Sequence, residues 1–137
     1  MLSIMEEYSM NEVTKEWIAK AEGDFATALR EMASPENPNL DAVCFHAEQC
    51  VEKYLKALLI ACGVTPPKVH DLVVLDHLLS PICPNWQWPV EELRLLTRAA
   101  VVFRYPGESA GREEAAAALD VCTRMREQLR LLLEIDQ

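Results

Sequence analysis

The sequence predicts an all-α fold, an up-and-down four-helix bundle with one additional short helix, on three observations. Half of the 137 residues are hydrophobic while only 7% are aromatic and four are glycine. The long Ala, Leu, Glu and Arg runs are made of side chains that lose little rotamer freedom in a helix. Apolar residues recur at helical spacing, and proline, glycine and capping residues cut the chain into five helix-like segments. A chain of this size supports one hydrophobic core, so residues 1–137 are expected to form a single domain with its core between about 11 and 135.

The first helix is predicted from about Asn11 to Ala33, where Trp17, Ala21, Phe25, Ala28 and Leu29 keep helical spacing and the two prolines of SPENPN end the run. The second starts after Asn39, a good N-cap, and ends at Gly63, a good residue for the left-handed position beyond a helix. VTPPK is a stiff connector, and HDLVVLDHLLS then supports a third, shorter helix that stops at Pro81. PICPNWQWP reads as a loop, and Pro89 suits the first turn of a fourth helix, PVEELRLLTRAAVVF. RYPGESAG interrupts it, and a fifth helix from about Arg112 to Ile135 carries Ala116, Leu119, Cys122, Met125, Leu129 and Leu132 as its expected core stripe. Four long amphipathic helices on short connections pack as a bundle, with the third expected to cap one end.

The net charge of −9 argues against a surface that broadly embraces nucleic acid, so DNA is not an expected partner, although a local basic cleft remains open. The five cysteines, Cys44, Cys50, Cys62, Cys83 and Cys122, form no C-x-x-C pair and read as reduced, buried thiols. MLSIMEEYSM lacks the basic start and apolar stretch of a secretion signal, and no run is apolar enough to span a membrane. A cytoplasmic protein is expected. Trp86 and Trp88 either plug one end of the core or present a ring to a partner.

One stretch carries chemistry. In CFHAEQCVEKYLKALL, residues 44–59, with His46 taken as zero and about 100° per residue, Gln49, Lys53 and Lys56 fall at roughly −60°, −20° and −80°. The apolar set Ala47, Cys50, Val51, Tyr54, Leu55, Ala57 and Leu58 sweeps from roughly +20° to +180°, so the polar stripe borders the core. One reading is structural: lysine stems snorkel along apolar surface and Glu52 pairs with Lys56 one turn on, while Glu48 matches Lys53 poorly. The other is functional, and it rests on company elsewhere: Asp24 on the first helix, His70 and Asp71 opening the third, Arg104 and Tyr105 closing the fourth. Asp71 is also favourable in a first helical turn, whatever its function. Cys44, His46 and Cys50 do not make a metal site, because Cys44 lies about 160° from His46. No glycine-rich phosphate loop occurs, and no cofactor is expected. A phosphate would be held by Lys53, Lys56 and Arg104.

Together, WIAKAEGD at 17–24, the helix-two stretch at 44–59, HDL at 70–72 and RYP at 104–106 resemble a HEPN domain, over about residues 11–132. The resemblance implies a helical bundle, commonly a homodimer, with a cleft that in some members holds nucleotide or RNA. It further implies a minimal nucleotidyltransferase partner in a two-component, toxin–antitoxin-like pair. Carried over by position, the ligand-binding candidates are Asp24, His46, Gln49, Glu52, Lys53, Lys56, His70, Asp71, Arg104 and Tyr105. HEPN ribonucleases share an Arg followed a turn or so later by a His, whereas Arg94, Arg98 and Arg104 have no histidine downstream. RNA cleavage without metal needs an acid and a base, roles that histidine fills near neutral pH. The expectation is therefore a binding module rather than an enzyme, with no catalytic residue assigned. His46 and His70, on other segments, are not expected to replace the missing base. A ribonuclease with an atypical site and a purely structural dimerisation protein are the alternatives.

Overall fold

The computed structural model describes residues 11–135, and its regular secondary structure there is all helical. Five helices follow in order: α1 (Glu12–Ala33), α2 (Leu40–Ala61), α3 (Leu72–Leu79), α4 (Val90–Val102) and α5 (Arg112–Leu132). The reading of MLSIMEEYSM falls outside the described residues. Each expected helix is present, with ends displaced by up to three residues.

The boundaries follow from local chemistry. Asn11 Oδ1 accepts from the Thr14 amide at 2.8 Å, and Asn39 Oδ1 accepts from the Ala42 amide at 3.0 Å, each satisfying a donor that the first helical turn leaves unpaired. At the end of α2 the Val64 amide donates to Leu59 O and the Gly63 amide to Ile60 O, both at 2.9 Å. That paired closure needs a left-handed residue, and Gly63 supplies it at φ +83°. α3 begins at Leu72 rather than His70, because Asp71 serves as its N-cap, accepting from the Val73 amide at 2.9 Å. α5 ends three residues before Ile135 in the same closure as α2, with Glu134 in the left-handed position at φ +58°.

α2 is the central element: it packs against α1, α3, α4 and α5. Fourteen of its twenty-two residues are buried, and Val43, Cys44, Ala47, Cys50, Val51, Tyr54, Leu55 and Leu59 are wholly enclosed. α1 meets it through Thr14, Ala21, Asp24 and Ala28, a three-four spacing that keeps one face on the neighbour. Leu29 lies one residue off that stripe and is 43% exposed, against the expectation that it is core. α5 repeats the spacing with Ala115, Ala118, Cys122, Met125 and Leu129. The expected Ala116 is exposed for the same reason, being about 100° from Ala115.

α3 packs on α2 and α4. The loop after it returns Trp86 into the core, where its Nε1 donates to Asp76 at 2.8 Å. Trp88 stacks on Trp86 with ring centroids 5.6 Å apart and donates to Glu92. The tryptophan pair is thus a plug over the core, because both indole N–H groups find carboxylates. All five cysteines are free thiols; Cys44, Cys50 and Cys122 are buried, whereas Cys62 and Cys83 are only half-buried, since they lie at the α2 terminus and in the loop. No helix among the described residues is long and apolar enough to cross a membrane.

Candidate functional site

Asp24 is the organising residue. It occupies a position in the buried stripe of α1 where an apolar side chain would ordinarily stand, and it is only 9% exposed. A carboxylate there must be paired, because an isolated buried charge costs several kcal/mol or more. Both oxygens are engaged by α2: Oδ1 lies 2.7 Å from His46 Nδ1, and Oδ2 accepts from Lys53 Nζ at 2.5 Å. The seven-residue interval between His46 and Lys53 is two helical turns, which brings both to the same side of α2 and onto one carboxylate. With the carboxylate accepting at Nδ1, the imidazole carries a proton on that nitrogen, and Nε2 is the nitrogen not engaged by Asp24.

His46 also lines a cleft of about 570 Å3 between the start of α2 and the end of α4, formed with Asn39, Asp41, Ala42, Phe45, Ala100, Phe103 and Arg104. The exposed Arg104 places its guanidinium 5.7 Å from the Phe45 ring centroid and pairs with no carboxylate among the described residues. The positive end of the α2 dipole lies at this cleft, since Asn39 to Ala42 are its first turn. Asp41 offsets part of that potential, but its Oδ1 is committed to the Ala110 amide at 2.7 Å. Two aromatic walls, a guanidinium with no carboxylate partner among the described residues and a fixed imidazole can hold a ring together with an anionic group. His46 and Arg104, though on different helices, therefore line one cleft, and the sequence argument that separated them does not hold for His46. His70 does not line it.

Gln49, Glu52, Lys56 and His70 form a second group. Gln49 Nε2 donates to Glu48 Oε1 at 2.9 Å and to Glu52 Oε1 at 3.3 Å. Lys56 Nζ donates to Glu52 Oε2 at 3.1 Å, the expected one-turn pair, and His70 Nδ1 approaches the same oxygen at 3.1 Å. The His70 ring is 82% exposed while Glu48, Glu52 and Lys56 are buried. Burial, and then the charge of Glu52, push the Glu48 carboxyl up to about 8, so Glu48 is held mainly neutral at pH 7. Two buried carboxyls thus share one buried lysine, and one of them keeps its proton.

The ten sequence candidates do not converge on one cleft. Asp24, His46 and Lys53 form one constellation, with Arg104 across the cleft from His46; Gln49, Glu52, Lys56 and His70 form another. Asp71 is occupied as the cap of α3, and Tyr105 is 59% exposed beyond α4, outside the cleft lining. Arg94 and Arg98 border a separate cavity of about 500 Å3 with Asp71, Val73, Thr97, Val101 and Val102. Among the described residues no three His, Cys, Asp or Glu side chains group as metal ligands.

Sequence reasoning passed over the cleft walls Phe45 and Phe103 and a clamp across the bundle, and it weighed Glu48 only as a poor partner for Lys53, not as a buried carboxyl beside Glu52. In that clamp Arg126 on α5 grips Glu22 on α1 through Nε at 2.7 Å and Nη2 at 2.6 Å. Tyr54 on α2 donates its hydroxyl to the same carboxylate and accepts from Arg130 Nη1 at 3.0 Å. Burial alone would raise the Glu22 pKa, but the hydrogen bonds from Arg126 and Tyr54 overcome it and hold the carboxyl below its ordinary range. Burial first and the bond to Glu22 second raise that of Tyr54. Phe45 was the legible member of this missed set, because it precedes His46 on the border of the polar stripe.

The HEPN domain family matches residues 14–132 of the chain. The fold is similar to that in the crystal structure of an archaeal HEPN homologue, with a TM-score of 0.64 at 21% sequence identity, covering 90% of this chain and 99% of the other. At that identity the likeness speaks for the fold alone. No curated protein matches the sequence.

Proposed function

The chain belongs to the HEPN domain family, and from that premise we propose that it is a binding module that holds a nucleotide or another phosphorylated ligand in the cleft between α2 and α4. The supporting observation is the meeting of Arg104, free of any carboxylate among the described residues, with His46 fixed on Asp24, in a cleft that the first turn of α2 also lines. Arg104 takes the phosphate by charge-assisted hydrogen bonds, the helix terminus adds its partial positive charge, and Phe45 and Phe103 flank the base. Lys53 contributes through Asp24, by neutralising the carboxylate that orients the imidazole. Titration calorimetry with adenosine mono- and triphosphate tests the reading. Arg104→Ala combined with Lys53→Ala is expected to abolish binding while circular dichroism stays helical, and an unchanged affinity would count against the cleft.

The same reading extends to assembly: a homodimer, and association with a minimal nucleotidyltransferase in a two-component system. Co-expression with such a partner is expected to yield a complex that co-purifies at a fixed ratio.

A second reading is favoured by one observation, the shared cleft of His46 and Arg104. A histidine whose Nδ1 is held by a carboxylate and whose Nε2 is not can serve as an acid or base, with the arginine on the phosphate. Cleavage of single-stranded RNA by the purified protein, lost in His46→Ala and kept in His70→Ala, would establish this ribonuclease alternative over the binding module.

A further inference from the structure

A groove between the first half of α1 and the middle of α2 takes no part in the cleft described above. Val13, Glu16, Trp17 and Lys20 of α1 and Lys53 of α2 line about 360 Å3. The α1 members recur at three- and four-residue intervals, so they follow one face of the helix. Trp17 is half-buried, and Lys56 Nζ sits 5.5 Å from its ring centroid, which anchors the indole against α2. Lys20 is exposed and pairs with no carboxylate among the described residues. Lys53 is partly neutralised by Asp24, and Glu16 adds one negative charge to the lining. The groove therefore offers a fixed aromatic surface, one ammonium with no ion pair among the described residues and room at the small end of the range for ligand pockets.

We propose that this groove is a second ligand site, for a small planar aromatic ring carrying a single negatively charged group, with Trp17 as the stacking surface and Lys20 as the charge partner. The ring replaces water on the exposed part of the indole, and the anion replaces water on Lys20. Glu16 disfavours a second anionic group on the ligand. Asp24 holds one side chain of each site, Lys53 here and His46 in the Phe45 cleft, but the two sites have separate walls.

Phenyl phosphate titrated into the 15N-labelled full-length protein tests the proposal through the indole N–H resonances. The indoles of Trp86 and Trp88 are committed to Asp76 and Glu92, both at 2.8 Å, and serve as internal controls. The Trp17 resonance is expected to shift saturably while the other two stay in place, and inorganic phosphate, which has no ring, is expected to leave all three unmoved. Lys20→Ala, at an exposed position, is expected to weaken the effect about tenfold and Lys20→Arg to restore it. Benzoate distinguishes the two sources of this chemistry: saturable shifts with benzoate as well assign the site to aromatic anions in general, and shifts with phenyl phosphate alone assign it to aromatic phosphates. A Trp17 resonance that does not move, or undiminished binding by Lys20→Ala, overturns the proposal. Loss of the shift in Arg104→Ala also overturns it, because the ligand then sits in the Phe45 cleft. Failure of nucleotide binding in that cleft leaves this result untouched.

Discussion

Asp24 and Glu48 are both buried carboxyls, and the bundle treats them in opposite ways. Asp24 is given two cationic or hydrogen-bonding partners and carries His46 into the cleft. Replacing it with asparagine keeps the shape but removes the charge that Lys53 and His46 face. Asp24→Asn is expected to cost roughly 1–3 kcal/mol in urea denaturation, and to weaken any ligand held by His46. Glu48 instead keeps its proton. A carboxyl whose folded pKa lies near 8, above its unfolded value near 4.5, makes the native state bind more protons than the unfolded state between those values. Its contribution is fully present below about pH 4.5 and is lost as pH rises through about 8. Glu48→Gln, which imitates the neutral form, is expected to flatten that decline and to raise stability at pH 8.5. Unfolding curves measured from pH 5 to 9 check the sign, and a variant with the same slope as the parent sinks the assignment.

The helices owe their ends to single residues, and those ends place the site. Asn39 caps α2 at the rim of the cleft, so Asn39→Ala is expected to lower stability by about 1 kcal/mol and to fray the turn that faces the ligand. Hydrogen exchange at the first amides of α2 reads the second effect. At the other extreme, Glu134 holds a left-handed conformation that Gly63 adopts without penalty in the same closure of α2. Glu134→Gly is expected to raise the melting temperature, by up to about 1 kcal/mol in free energy, because the steric cost of the left-handed side chain disappears. The ends at Asn39 and Gly63 were legible in advance, because the local preferences of these residues survive any packing, whereas the closure at Glu134 was not, and Pro89 stands at the N-cap of α4 rather than in its first turn. The register within α1 and α5 was less legible, since Leu29 and Ala116 are apolar and helical in spacing, yet each lies one residue off the face that meets α2.

Across the whole molecule, α1, α2 and α5 are joined by the Glu22 clamp. Its carboxyl is held below the ordinary range, so its contribution is present above about pH 4.5 and is lost as pH falls through its lowered folded pKa. Glu22→Gln is expected to cost roughly 1–2 kcal/mol at pH 7 and progressively less as the pH falls below about 4.5, measured by denaturant unfolding across that range. No sequence periodicity announces this clamp, because Glu22 and Arg126 lie 104 residues apart and each looks like an ordinary solvated charge on its own helix.

The sequence by itself determined the helices, their order, the core face of α2 and the presence of a polar border beside it, because capping and periodicity act over a few neighbouring residues. Only the tertiary structure decided which border residues meet. It set His46 and Lys53 on Asp24, brought Arg104 over Phe45, and drew His70 onto the Glu52–Lys56 pair. Those outcomes depend on how helices distant in the chain approach one another, and on the requirement that each buried charge find a partner wherever the packing leaves it.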